Sequence, residues 1–247
     1  MAQPRGTAKS LVVCTRIHLG KASFPPTDDS LSKTLSSFVS LVYSSNAFKG
    51  AIAVDPAPKI LGYDLPSRIQ TLLPKICEKC ATKNNEQCEA EVPEIEVIPV
   101  SPWGQFIPAL NALVAWASKL NASYVLFASA ETTLSSDAIC TLLGQFDEEK
   151  DNTLVVGAVL PGHDYDAEQQ CRPLTGITCP WNTAAIWRVP KLALTGFPLL
   201  AEGIHRDKQG RYVYFGSMAK YRKHTLSTSK QLSPILRYLC FWIWLVP

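Results

Sequence analysis

The stretch SYVLFASAE, Ser123 to Glu131, decides the fold class. Its first six residues are apolar, aromatic and too few for a helix, so Ser123–Ala128 reads as a buried strand. Ser135 then offers an N-cap for a helix running to Phe146. Upstream, Gly104 to Leu120 carries Ile107, Leu110, Val114 and Ala117 at helical spacing. A strand with a helix on either side is the pattern that alternates along the chain, although no internal sequence repeat is visible.

Working outward, Glu94–Val100 (EIEVIPV) and Gly50–Asp55 (GAIAVD) read as strands, and so does Ser10–Thr15 (SLVVCT). Between them, Asp28-Asp29-Ser30 caps a helix with Leu31, Leu35, Phe38, Val39 and Val42 on one face. A second helix opens at Asp64-Leu65-Pro66 and turns Ile69, Leu72, Leu73, Ile76 and Cys80 to one side, with Pro74 expected to kink or divide it. Downstream, Thr153–Leu160 and Asn182–Val189 read as strands, the latter followed by a helix over Pro190–Thr195. From Gly203 onward no period is visible. Strands alternating with helices at crossover spacing predict an α/β fold with a mostly parallel sheet covered on both faces. Ligands bind such sheets beyond the carboxyl ends of the strands. The domain expected is single, over residues 10–203, with a basic tail over 204–247.

The chain has 247 residues, 47% hydrophobic and 18% charged, enough for a sizeable core and too apolar for a disordered chain. No apolar run reaches the about 18 residues of a spanning helix. The start, MAQPRGTAKS, lacks the apolar centre of a secretory signal, so the cytoplasm is the expected location. Between His205 and Arg237 stand eight basic residues and one acid. Such a tail, with Trp242 and Trp244 in its apolar end, suits peripheral contact with an anionic membrane face, or else a solvated ending. No nucleic acid partner is expected. The sequon Asn121-Ala122-Ser123 falls at the start of a buried strand, in a compartment where it would go unused.

Cys14 and Cys140 lie in apolar runs and read as buried thiols. Cys77, Cys80 and Cys88 have no fourth ligand close by for zinc, and Cys171 and Cys179 flank a proline-containing loop. Walker A, GxGxxG, GxSxG and HExxH motifs are absent, and the four histidines show no metal-ligand spacing. His163 with Asp164 and Asp166 reads as a polar loop. Three features remain. Asp55 ends the second strand at the mouth of the sheet. Glu131 stands where the fourth strand leaves the sheet, a position from which a carboxylate holds a divalent cation against a diphosphate. Trp181, Asn182, Trp187 and Arg188 offer stacking and polar groups near a strand mouth.

The order of these pieces resembles the nucleotide-sugar-binding domain of family 2 glycosyltransferases, the GT-A fold. The matching residues are Asp55, Gly104 with Asn111, YVLF with Glu131, and Asn182–Arg188 with Leu194-Thr195-Gly196-Phe197. The resemblance implies a GT-A-like glycosyltransferase that moves a sugar from a nucleotide-sugar donor to an acceptor hydroxyl. It implies that Asp55 contacts the uracil or ribose and that Glu131 binds Mn²⁺ or Mg²⁺. Thr15, Arg16, Gly104, Asn111, Trp181, Asn182 and Arg188 would complete the substrate site. A later acid, Glu202 or Asp207, would deprotonate the acceptor. The chain departs from the family in having Ser129-Ala130-Glu131 for Asp-x-Asp, and in its ending after about Gly203. That departure raises a competing reading, a fold that keeps its binding surface and has lost catalysis. A nucleotidyltransferase reading fits less well, because the loop after the first strand, Thr15 to Lys21, holds Gly20 alone.

Overall fold

A computed structural model describes residues 10–19, 24–56, 60, 62–84, 93–103, 106–146, 153–163, 180–198, 204–206 and 212–214. Strand β1 (Leu11–Ile17) leads through helix α1 (Asp28–Ser44) to β2 (Lys49–Val54), and α2 (Leu65–Asn84) leads on to β3 (Glu94–Pro99). Helix α3 (Ile107–Lys119), β4 (Tyr124–Ala128), α4 (Ser136–Gly144) and β5 (Val155–Gly157) follow. Then come β6 (Ala184–Arg188) and α5 (Val189–Thr195).

Six strands form one sheet in the order β3-β2-β1-β4-β6-β5. β3, β2, β1 and β4 are parallel, and β6 runs antiparallel to β4 and to β5. The α/β expectation holds, and the sheet is mixed, with three parallel and two antiparallel pairings. After β3 the chain crosses back to the other side of β1, so the strand order reverses between β1 and β4. Crevices at such a reversal are where open α/β sheets take ligands.

The inner strands are buried from both sides, and their alternate residues sort between the two faces, while the edge strand β3 leaves Glu94, Glu96 and Pro99 exposed. Leu11, Val13, Ile52, Val54, Leu126 and Ile186 face α1, α2 and α4, whose Leu35, Phe38, Ile69 and Ile139 complete that layer. Val12, Cys14, Ala51, Ala53, Val125, Phe127 and Trp187 face α3 and α5, meeting Leu110, Leu113, Val114 and Leu192. Strands buried on both faces must be apolar throughout, which is why they read as continuous runs rather than as alternation.

Local signals set the helix limits. Thr27, one residue before the expected cap, accepts the Ser30 N–H on its hydroxyl and leaves Asp28 and Asp29 in the first turn of α1. There their charge suits the helix dipole. Ser135 caps α4 as expected, accepting from the Ala138 N–H. Beyond α1 and α3 the chain turns on Asn46 and Asn121, both in the left-handed conformation at φ 52° and 54°. Asn121 of the sequon is thus an exposed turn residue between α3 and β4.

Three expectations are narrowed or corrected. α2 is one helix from Leu65 to Asn84, so of the two outcomes expected at Pro74, a kink or a division, division is excluded. Pro74 is exposed, and the faces of Ile69, Leu73 and Ile76 packed on the core hold the turns on either side of it. Cys140 is exposed, because α4 turns its neighbour Ile139 inward and the next residue lies about 100° around the helix. The segment after Gly203 contains β7 (Ile204–Arg206) and β8 (Tyr212–Tyr214), an antiparallel pair whose three-residue strands are too short to show a period. Among the described residues no helix is long and apolar enough to cross a membrane. Gly104, Glu202, Asp207, Cys88, Cys171, Cys179, Asp164, Asp166 and the apolar end with Trp242 and Trp244 lie outside the described residues.

Candidate functional site

The carboxyl ends of β2, β1 and β4 are neighbours and carry the polar residues of interest. Asp55 follows the last residue of β2 and is 5% exposed. Arg16, the second-to-last residue of β1, is exposed, with its guanidinium carbon 5.6 Å from the centre of the Phe106 ring at the start of α3. Glu131 is exposed three residues beyond β4. With strands about 4.8 Å apart, the ends of β2 and β4 lie about 10 Å apart with β1 between them. His18 joins this rim, its ring 5.7 Å from that of Trp103.

Thr15 sits among them with a structural task. Its buried hydroxyl donates to the Ala128 carbonyl oxygen at 2.8 Å and so ties the ends of β1 and β4 together. The turn after β4 is tied in the same way. Ser129 and Thr132 share a 2.6 Å hydrogen bond, the Thr132 hydroxyl donates to the Thr183 carbonyl, and Ala130 is buried. Glu131 is thereby left as the outward side chain of the Ser-Ala-Glu turn.

Beside Asp55 the edge of the sheet opens into a groove of about 570 Å³. Pro56, Pro99, Tyr63, Asp64, Ser67 and Gln70 are among its walls. The Tyr63 hydroxyl is buried and has no hydrogen-bond partner among the described residues, and burial raises its pKa. Asp64 accepts from the Ser67 N–H and hydroxyl at the head of α2, and these bonds lower its carboxyl pKa.

The remaining expected site residues are placed elsewhere or are occupied. Asn111 of α3 grips the main chain of Phe197: its Nδ2 donates to the Phe197 carbonyl at 2.9 Å and its Oδ1 accepts the Phe197 N–H at 2.7 Å. Gly196 makes this possible, with φ +61° and no room for a Cβ, which would stand 2.8 Å from Asn111 Oδ1. Phe197 packs edge-on against Trp187 and Phe127. Asn182 accepts the Trp187 indole N–H at 2.8 Å. Trp181 lies three residues before β6, 4.2 Å centre to centre from His163. His163 Nδ1 accepts the Leu160 N–H at 2.9 Å, and burial lowers the imidazole pKa below its usual 6.5.

Arg188 is not brought to the site. β6 runs antiparallel, so Ala184 pairs with Ala128 while Arg188 pairs with Tyr124 at the amino end of β4. Four residues of strand, about 13 Å, separate the two ends. There the guanidinium lies 5.6 Å from the centres of the Tyr124 and Phe146 rings.

The sequence singled out Asp55, Arg16, Glu131 and the segment from Trp103 to Asn111 that contains Phe106, and missed Tyr63 and His18 as residues near the strand ends.

Among the described residues no three His, Cys, Asp or Glu side chains come together. A single carboxylate completed by phosphate oxygens and water is nevertheless an ordinary way for proteins to hold Mg²⁺, and the outward Glu131 suits it. No protein-family model and no curated protein matches the sequence.

Proposed function

We propose that the chain is a GT-A-like glycosyltransferase domain that binds a nucleotide sugar across the carboxyl ends of β2, β1 and β4. The observation that carries this reading is the row of Asp55, Arg16 and Glu131 on three neighbouring strand ends, beside the reversal of strand order. A nucleoside diphosphate has its polar groups laid out over a comparable length. In this reading the nucleoside enters the groove by Pro56, where Asp55 accepts from the base or ribose and the Tyr63 hydroxyl finds a partner. The guanidinium of Arg16 meets the diphosphate. Glu131 holds Mn²⁺ or Mg²⁺, which would neutralise the leaving diphosphate when bound. The acceptor hydroxyl would be deprotonated by Glu202 or Asp207, help worth about 10²–10⁴ in rate.

A thermal-shift panel of nucleoside diphosphates and their sugars, with and without Mn²⁺, tests the reading. Donor at a hundred times its dissociation constant adds about 2.7 kcal/mol, a rise of several degrees. A metal-dependent rise with one nucleotide supports the proposal. No rise with any donor overturns it.

A second reading, a binding protein without transferase activity, is favoured by the turn after β4. There Ala130 is buried and the Ser129 hydroxyl is taken up by Thr132, leaving one carboxylate where the family resemblance implies two. A nucleotide-dependent shift that is indifferent to metal and to Glu131→Ala, without sugar transfer, would select it.

A further inference from the structure

Away from the sheet ends, α2 carries two free thiols one helical turn apart, Cys77 and Cys80. Both are half-buried and both lie on the side of α2 that meets α1. The Tyr43 hydroxyl of α1 reaches the Cys77 carbonyl at 3.5 Å, and the Ser40 hydroxyl lies 3.9 Å from the Cys80 sulfur. The pair therefore sits along a single helix–helix seam, partly open to solvent, and has no part in the site at the strand ends.

Residues three apart on a helix have Cβ atoms about 5–6 Å apart. A disulfide needs about 3.5–4.5 Å. Joining the two sulfurs directly would distort the second half of α2, where it is continuous and packed through Ile76. An ion placed between the sulfurs bridges the same gap with the helix intact. Thiolates are soft ligands that select Cu(I) or zinc among the common ions. Zinc completes a set of four ligands, and among the described residues no third His, Cys, Asp or Glu joins these two. Cu(I), a soft cation of low coordination number, suits a pair.

We propose that Cys77 and Cys80 form a two-thiolate site for Cu(I) on the α1-facing side of α2. Binding replaces two S–H bonds by two S–Cu bonds and releases two protons. Copper remains Cu(I), so no oxidant or reductant is consumed. Burial pushes the Cys77 thiol up, so part of the binding energy goes into removing that proton. The Ser40 hydroxyl is placed to donate to the Cys80 sulfur and to orient it.

The test is anaerobic titration of the full chain with Cu(I) against a chromophoric Cu(I) chelator. It is run on the wild type, Cys77→Ser, Cys80→Ser and, as a control thiol, the exposed Cys140→Ser. Circular dichroism checks that each variant is folded. The expected result is one equivalent of Cu(I) withheld from the chelator by the wild type and by Cys140→Ser, and lost in both Cys77→Ser and Cys80→Ser. The proposal is overturned if both seam variants keep that equivalent, if Cys140→Ser loses it, or if the wild type withholds none. Should a seam variant fail to fold, blocking the wild-type thiols with a maleimide and mapping protection by Cu(I) decides. Protection at Cys77 and Cys80 together supports the site, and protection at neither refutes it.

Discussion

The two ends of the β4–β6 pair are built from similar residues and do opposite things. At the amino end of β4, Arg188 lies against Tyr124 and Phe146 at 5.6 Å from each ring. Its charge is spent on packing, where cation–π contact and the stacking of a weakly hydrated guanidinium serve stability. At the carboxyl end Glu131 faces outward, and hydrogen bonds among Ser129, Thr132 and Thr183 hold the turn that presents it. Four residues of strand separate a charge packed against aromatic rings from one presented to solvent. A charged residue in a motif thus says little about its role until the strand's direction is known.

The contrast can be broken or sharpened by substitution, taken from the largest effect to the smallest. Both ends rest on Ile186, fully buried midway along β6. Ile186→Ala is expected to cost about 2–5 kcal/mol in urea unfolding, taking stability and ligand binding together. Asn111→Ala removes both hydrogen bonds to Phe197 and should cost about 1–3 kcal/mol by the same measurement. Fluorescence of Trp187, which packs on Phe197, should change with it. Arg188→Ala is expected to cost about 0.5–2 kcal/mol and to leave nucleotide affinity unchanged. Glu131→Gln should move stability by less than about 0.5 kcal/mol yet abolish the metal-dependent part of the nucleotide shift.

The smallest effect is a pH dependence at the rim. Burial lowers the His163 pKa in the folded chain, so the unfolded chain binds the proton first as pH falls. Stability from this group is full above the usual 6.5 and declines as pH drops below it, toward the lowered folded value. Unfolding midpoints measured from pH 7.5 to 5 should show a slope that His163→Gln flattens.

These results mark how much could be read from the residues alone. Strands buried on both faces give continuous apolar runs, so β1, β2 and β4 are visible, as are the carboxylates Asp55 and Glu131 that terminate two of those runs. The direction of β6 is not visible, because an antiparallel strand between two sheet neighbours has the same composition as a parallel one. That is why Asn182 to Arg188 reads as one site and is distributed over two ends of the sheet. The tasks of Asn111 and Asn182 were equally hidden. One amide is consumed by main chain 86 residues away and the other by an indole five residues on, and neither partner follows from spacing. At Pro74 the sequence leaves a kink or a division open, and packing of the turns on either side of this exposed proline keeps α2 undivided.

The central claim is that ligand chemistry belongs to the carboxyl ends of the parallel strands and that the opposite end is structural. Its most direct test is titration of the best nucleoside diphosphate with Mn²⁺ into Glu131→Gln and Arg188→Ala side by side, each corrected for its own stability. The account predicts that Arg188→Ala binds like the wild type and that Glu131→Gln loses the metal-dependent affinity. Loss of binding in Arg188→Ala, with Glu131→Gln unaffected, would contradict it.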